Sequence, residues 1–146
     1  MTGPATVGDE RERARHALEQ VCARGDFEAA RDYYSPNFID HVNELEYRGH
    51  DGVRQSVALY LTVFSDLRIV VEDQIVEGDV SRWTATGTNR GRQLRLPGIT
   101  VSHFAAGQIV EDWTSSDNLG LLRQLGPRRV LLLGVDLLRS RLRRRS

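Results

Sequence analysis

The sequence contains no lysine, and all 20 of its basic residues are arginine. This absence excludes a Schiff-base lysine and the lysine of a Walker phosphate-binding loop. Cys22 is the only cysteine, so neither an intrachain disulfide nor a cysteine-based zinc site can form. No run of about 18 apolar residues occurs, which excludes a membrane-spanning helix. Residues 1–10 have no apolar signal-peptide core, and we therefore expect a cytoplasmic protein.

The residues that are present have the composition of an ordinary globular domain. Of 146 residues, 40% are hydrophobic and 27% are charged, which suits one domain with a core that needs no covalent staples. The formal net charge is zero, but residues 123–146 hold eight arginines against the single acid Asp136. Such a tail can bind nucleic acid or anionic lipid. We expect instead a solvated helix end, with neither nucleic acid nor a membrane as partner.

Helical periodicity marks three segments in the first half of the chain. Apolar residues recur at helical spacing over 14–22, which predicts the first helix. Asp26 is the predicted N-cap of a short second helix over 27–34. Asp51 is predicted to cap a third helix, whose apolar face runs over 53–64.

Strand patterns dominate the second half of the chain. The predicted strands cover 38–42, 67–77, 80–88, 93–105 and 108–114. The links between the last four, among them the turn Glu77-Gly78-Asp79, are short, so these strands should pair antiparallel as a meander. Two further helices are predicted over 117–125 and 128–143, separated by Gly126-Pro127.

Helices followed by an antiparallel sheet indicate the α+β class. A long meander twists strongly, and the N-terminal helices are the elements available to cover one of its faces. We therefore predict a strongly curved antiparallel sheet wrapped around the N-terminal helices, with an internal cavity as the default ligand site. The predicted units are a cavity domain over 1–126 and a C-terminal basic helical extension over 127–146.

Short segments in a fixed order carry a resemblance to a known family. They lie at 38–41 (Phe-Ile-Asp-His), 49–54, 64–68, 77–79, 87–91, 107–113 and 117–126, which contains Gln-Leu-Gly. In this order and spacing they resemble the SnoaL-like polyketide cyclase family, from about residue 11 to residue 126. The resemblance implies a cone-shaped fold like that of nuclear transport factor 2.

The resemblance also implies a range of activities. The best-known members close a ring of an anthracycline precursor by an intramolecular aldol reaction, without a metal or an organic cofactor. Relatives are implicated in hydroxylating anthracycline-type polyketides, others open epoxides or form pyrans, and some have no known activity. We therefore expect cofactor-free acid/base tailoring of an aromatic polyketide. The alternatives are a hydroxylase component, with a separate reductase as partner, and a non-catalytic small-molecule binding protein.

The family's acid/base pair is the point at which this sequence departs from the resemblance. The pair is a His on the next-to-last strand and an Asp on the last, and these positions fall near Thr100 and Thr114, neither of which is a general base. His103 and Asp117 lie three positions further along and are, with His41, the candidate catalytic residues. Strand alternation turns His103 away from Thr100, and Asp117 equally suits a helix N-cap.

Further candidates are assigned to substrate binding. They are Tyr34, Asn43, Trp83, Thr100, Trp113 and Thr114. Large planar rings suit a polycyclic aromatic ligand, although they also suit a core. No metal is expected, because Asp40, His41 and His50 lack a recognisable ligand spacing. An Asp or His that points into the cavity would favour catalysis, and a cavity without one would favour binding.

We also expect a homodimer. Val71, Ile109 and other strand residues suggest an outer sheet face that is apolar enough to pack against a second copy.

Overall fold

Six strands form one sheet in the computed structural model, which describes residues 7–75 and 80–144. The strands are β1 Tyr34–Val42, β2 Leu45–Arg48, β3 Arg68–Ile75, β4 Val80–Asn89, β5 Arg92–Ala105 and β6 Gln108–Ser116. They are ordered β2-β1-β6-β5-β4-β3 across the sheet. The antiparallel meander predicted for the last four strands is confirmed, while the predicted turn Glu77-Gly78-Asp79 lies outside the described residues.

Two features of the sheet were not predicted. The first is β2, a four-residue strand that pairs antiparallel with β1. The second is the parallel pairing of β1 with β6, which joins the first and the last strand of the chain in the middle of the sheet. This pairing aligns Asp40 with Asp112 and Val42 with Thr114. It therefore places polar residues from distant parts of the chain side by side.

Four helices accompany the sheet. They are α1 Val7–His16, extended by a π-helical turn over Ala17–Cys22, α2 Phe27–Tyr33, α3 Gly49–Val63 and α4 Asn118–Arg144. The predicted cap Asp26 is confirmed, because its side chain accepts a hydrogen bond of 3.1 Å from the Ala29 amide. The predicted cap Asp51 is wrong. Gly49, with a φ of +67°, turns the chain out of β2 early enough that α3 begins before Asp51.

The inward face of the sheet packs on the helices and forms most of the core. Buried residues alternate along β5, where Leu94, Leu96 and Thr100 point inward. Helix α3 contributes Val53 and Val57 to an apolar cluster beneath this face. The predicted α+β class, with one covered sheet face, is thus confirmed.

The last helix changes direction at one residue. Gly126 has a φ of 75° and a ψ of 165°, values that are not helical, and Pro127 follows it. The break separates two helical segments as predicted. Beyond it, Val130, Leu133 and Leu137 pack against the main apolar cluster. No helix in the described ranges is long and apolar enough to cross a membrane.

The outer face of the sheet differs from the expectation. Val71 and Ile109 are buried in the core and do not lie on that face. Val71 continues the inward phase of Ile69, and a register shift beside Ile109 turns that side chain inward. Other large apolar residues are exposed there instead, namely Val70, Ile75, Ile99 and Trp113.

Candidate active site

A cavity with a volume of about 50 Å³ lies between the helices and the inward face of the sheet. Its wall is mostly apolar, with Leu18, Phe38 and Ile69 among the residues that line it. Its polar groups come mainly from β1, β5 and β6, the strands that the parallel pairing brings together. An apolar pocket with a few converging polar groups is the usual form of a small-molecule site.

Asp40 and Asp112 are the acids of this cavity. Asp40 lies on β1 between the buried residues Phe38 and Val42, and Asp112 lies on β6 two residues before Thr114. The two are register partners on adjacent strands, which run about 4.8 Å apart. Both side chains are buried and line the cavity. The fold therefore holds two carboxyl groups side by side in an apolar pocket.

Burial sets the protonation of this carboxyl pair. Desolvation raises the pKa of Asp40 to about 6, opposed by a hydrogen bond from Ser56 and by the charge of His41. Desolvation, reinforced by the charge of Asp40, raises the pKa of Asp112 to about 8, opposed by a hydrogen bond from Ser102. At neutral pH the pair therefore holds one proton, because burial raises both pKa values and the charge of Asp40 raises that of Asp112 further.

One oxygen of the pair has no protein partner. Oδ1 of Asp112 is buried and, among the described residues, has no hydrogen-bond partner. An unpaired buried polar oxygen is costly, so such atoms commonly mark a place where a ligand or water completes the bonding. Asp112 itself lines the cavity, so this oxygen belongs to a residue of the cavity wall.

A short chain of hydrogen bonds crosses the cavity wall beside the carboxyl pair. The indole Nε1 of Trp83 donates to Oγ1 of Thr100 at 2.9 Å, and Oγ1 of Thr100 lies 2.9 Å from Oγ1 of Thr114. An indole N–H can only donate, so Thr100 keeps its own proton to share with Thr114 or a ligand. The ring of Trp83 fits because Gly98 opposes it, since a Cβ there would lie 2.4 Å from Cζ2.

Cys22 and Tyr34 form a second polar contact in the cavity. Their Sγ and hydroxyl oxygen lie 3.5 Å apart. Burial raises the pKa of the Cys22 thiol to about 12 and raises the pKa of the Tyr34 hydroxyl well above its usual value. Both groups therefore stay protonated at neutral pH and act as hydrogen-bonding groups rather than as nucleophiles.

Four of the six predicted substrate-binding residues line the cavity. They are Tyr34, Trp83, Thr100 and Thr114. Trp113 and Asn43 instead line an open groove on the other side of the sheet. Trp113 follows Asp112 and so points to the opposite face, whereas Asn43, with a φ of 49°, forms the turn between β1 and β2.

The three predicted catalytic residues do not reach the cavity, which corrects the expectation that they act there. His41 and His103 belong to the outer face, where each lies within 4.0 Å of the Glu111 carboxylate. His41 also stacks on Trp113, with ring centroids 3.7 Å apart. Strand alternation explains both placements. The register shift near His103 comes after that residue, too late to turn it inward.

Asp117 is a helix cap in the structure. Its Oδ1 accepts a hydrogen bond of 2.9 Å from the Gly120 amide, and the side chain is exposed. Gly120 permits this closed geometry, because a Cβ there would lie 2.2 Å from Oδ2 of Asp117. The sequence left Asp117 as either a catalytic acid or a helix N-cap, and the geometry matches the N-cap.

Sequence reasoning missed Asp40 and Asp112 as site residues, although a signal for both was present. Asp112 shares its strand phase with Thr114, which was assigned to the cavity. Asp40 shares its phase with the apolar residues Phe38 and Val42. The alternation of side chains along a strand therefore predicts that both acids face inward. The histidines, which were chosen for their chemistry, lie at positions that alternation assigns to the outer face.

The described parts of the chain contain no group of three or more His, Cys, Asp or Glu side chains arranged to hold a metal ion. The groups that line the cavity are two carboxyls, five hydroxyls, one thiol, aromatic rings and aliphatic side chains. Such a set suits proton transfer to and from an apolar or aromatic molecule.

Comparisons with solved structures show the same architecture in other proteins. Wild-type IdmH from Streptomyces antibioticus, a candidate polyketide cyclase, is 25% identical with a TM-score of 0.70, over 80% of this chain and 99% of that chain. A candidate polyketide cyclase from Bacillus cereus ATCC 10987 is 25% identical with a TM-score of 0.71, over 80% of each chain. AclR from Streptomyces galilaeus, a candidate hydroxylase, is 21% identical with a TM-score of 0.67, over 80% of this chain and 96% of that chain.

Fold and cavity thus define a small α+β protein whose pocket is mostly apolar and contains two buried carboxyl groups. The model of the SnoaL-like polyketide cyclase family matches residues 12–125. The chain belongs to the SnoaL-like polyketide cyclase family, and the fold that the resemblance implied is confirmed. No protein with a curated description matches the chain in sequence.

Proposed function

We propose that the protein is an enzyme that tailors an aromatic, anthracycline-type polyketide by acid/base chemistry of Asp40 and Asp112. The observation that carries this proposal is the adjacent pair of buried carboxyls, which holds one proton at neutral pH in a cavity with aromatic walls. From the sequence, we expect an acid pointing into the cavity to favour an enzyme, and a cavity without one to favour a binding protein. Two such acids favour an enzyme over a non-catalytic binding protein.

The proposed reaction is an aldol ring closure. The Asp40 carboxylate removes a proton from a carbon that two carbonyl groups acidify. The resulting enolate carbon attacks a second carbonyl carbon of the same molecule, and a carbon–carbon bond forms. The alkoxide that develops takes the proton of Asp112. The net change moves one proton from carbon to oxygen, and transfer from Asp40 to Asp112 restores the starting state.

The rest of the cavity positions the substrate for these steps. The hydroxyls of Thr100 and Thr114 and the protonated Tyr34 supply donors for carbonyl and phenol oxygens. The edges and faces of Trp83 and Phe38 offer stacking surface to a planar ring system. The apolar wall excludes water, which strengthens each of these interactions.

A second candidate function is that of a hydroxylase component acting on the same class of molecule. It is favoured by Thr100 and Thr114, which stand where the resemblance places the His and Asp of the ring-closing members. They hydrogen-bond to each other at 2.9 Å. In that case dioxygen would supply the added oxygen atom, and a separate reductase would supply the electrons that reduce the second oxygen atom to water.

Mass spectrometry after incubation with an anthraquinone-type polyketide ester separates these functions. Ring closure gives an isomer of unchanged mass with a new chromatographic retention, and it needs no reductase. Hydroxylation adds the mass of one oxygen atom and appears only with the reductase. We expect the isomer from the unaltered protein and its loss in Asp40→Asn and Asp112→Asn. An unchanged substrate in every reaction, with saturable binding, would contradict both enzymatic functions.

A further inference from the structure

The helix beyond Gly126 has two apolar faces, and only one of them is packed. Val130, Leu133 and Leu137 pack against the main apolar cluster, so this segment is docked on the body. A second set of apolar side chains is between 38% and 71% exposed and lies on the opposite side, namely Leu131, Val135, Leu138 and Leu142. Their spacing of four, three and four residues aligns them in one stripe along the helix. We call these four residues the leucine stripe.

Arginines border the leucine stripe. Arg128 and Arg139 lie on one side of it and Arg141 on the other, and all three are exposed. Asp136 is the only acid after residue 123, and both of its oxygens accept hydrogen bonds from Nη2 of Arg90, at 3.3 and 3.1 Å. The one negative charge of the segment is thus paired within the molecule. The exposed surface of the helix combines leucines with positive charge.

We propose that the leucine stripe binds the surface of an anionic phospholipid membrane. The helix would lie in the plane of the surface, with its leucines among the acyl chains and its arginines at the phosphates. Long arginine stems allow this arrangement, because they reach the headgroups while their methylene groups stay with the leucines. This binding contrasts with the solvated helix end, without a membrane partner, that the sequence alone led us to expect.

Charge and size argue against other occupants of the stripe. A second copy would bring its own arginines against these, with Asp136 already paired to Arg90. A soluble partner would gain only four apolar side chains, while a stable protein interface buries about 800 Å² on each partner. An interfacial helix needs no larger surface, since one apolar stripe and nearby cations are sufficient. Nucleic acid would use the arginines and leave the leucines exposed.

Sedimentation of the full chain with lipid vesicles tests this proposal. The vesicles contain phosphatidylcholine alone or phosphatidylcholine with an equal part of phosphatidylglycerol. We expect binding to the anionic vesicles only, and weaker binding as the salt rises from about 0.1 M to about 1 M. The triple variant Leu131→Gln, Leu138→Gln, Leu142→Gln should bind at least about tenfold more weakly. Each of Arg128→Gln, Arg139→Gln and Arg141→Gln should cost about fivefold.

A matched control uses exposed leucines outside the stripe. Leu45→Gln with Leu119→Gln removes two such side chains from other elements and should leave vesicle binding unchanged. All variants should keep the melting temperature of the unaltered chain, because the replaced side chains are exposed. The proposal is overturned by absence of binding at low salt, or by equal binding of the triple variant. It is also overturned if the triple variant converts a dimer into a monomer in light scattering, because the stripe would then contact a second copy.

Discussion

At the scale of single residues, burial and pairing decide what Asp40 and Asp112 can do. An exposed aspartate has a pKa of about 3.9 and is a poor proton acceptor at neutral pH. The apolar cavity raises the pKa of Asp40 to about 6 and that of Asp112 to about 8. One residue is then suited to accept a proton and the other to donate one at the same pH. Two identical side chains thereby have different roles.

Asp117 tests whether position in the fold, rather than the presence of an acid, determines activity. Asp112→Asn should lower turnover by about 10²-fold or more, because an amide can neither give nor take the proton. Asp117→Asn should leave turnover and stability nearly unchanged, because Asn caps a helix as well as Asp does. Steady-state rates and melting temperatures of the two variants check this. A loss of turnover in Asp117→Asn with an intact fold would show that our placement of the active site is wrong.

Whether the sequence predicted a site residue correctly depended on which face of its strand the residue occupies. Thr100 and Thr114 were assigned to the cavity from the family positions, and their side chains do meet there. His41 and His103 were chosen for their chemistry, and both point outward. Asp40 and Asp112 follow from alternation alone, but their pairing does not. It depends on the parallel contact of β1 with β6, which no local pattern encodes.

At the scale of elements, the segment after Pro127 contributes to the fold through its packed face. A chain that ends at Pro127 loses Val130, Leu133 and Leu137, which are worth up to about 1.5–3 kcal/mol each when fully buried. It should therefore melt markedly lower or aggregate. A chain that ends at Leu142 loses three arginines and Ser146 but none of the packed apolar side chains, and surface ion pairs contribute about 0–1 kcal/mol. Its melting temperature should stay nearly the same.

Calorimetry of the two truncated chains beside the full chain makes this comparison. If the full chain and the chain ending at Pro127 melted at the same temperature, the packing of this segment would contribute nothing to stability. A large drop for the chain ending at Leu142 would instead place the stabilising contacts in the terminal arginines.

Secondary-structure patterns predicted the long elements well and the short ones poorly. The meander strands and the break at Gly126-Pro127 follow from period, turn residues and proline chemistry. Strand β2 has four residues, none of them buried, so it carries no hydrophobic alternation. The start of α3 was misplaced because Gly49, rather than a capping side chain, begins the helix.

At the scale of the whole molecule, the homodimer remains a prediction. Val71 and Ile109 do not support it, but the exposed residues Val70, Ile99 and Trp113 give the outer sheet face an apolar surface. Light scattering at micromolar concentration should show twice the chain mass of 16.5 kDa. Trp113→Arg should give a monomer, because it places a charge in that surface. A 16.5 kDa species for the unaltered chain would contradict the prediction.

The carboxyl pair also shapes the stability of the whole molecule as a function of pH. Both pKa values are higher in the folded chain than the value of about 3.9 in the unfolded chain. Between about pH 4 and about pH 8 the folded state therefore binds more protons, and the free energy of unfolding falls as the pH rises. Glu72 and Glu111 have lowered pKa values, so their contribution has the opposite sign and is confined to the acid end of this window and below it.

Thermal unfolding across this pH range checks the effect. The melting temperature should fall by several degrees from about pH 5 to about pH 8. In Asp112→Asn the dependence should be much flatter, because the most strongly shifted group is gone. An unaltered slope in that variant would assign the dependence to other residues.

Carbon NMR titration of the aspartate carboxyls tests the central claim most directly, since it needs no knowledge of the substrate. The resonances are assigned by comparing the unaltered chain with Asp40→Asn and Asp112→Asn. We predict two carboxyls with raised pKa values, about 6 for Asp40 and about 8 for Asp112, and a lower pKa for Asp112 when Asp40 is replaced by Asn, because the charge of Asp40 is then gone. If both carboxyls titrated near the ordinary value of about 3.9, the cavity would hold two charged aspartates and no shared proton at neutral pH. That result would contradict the acid/base pair on which the proposed function rests.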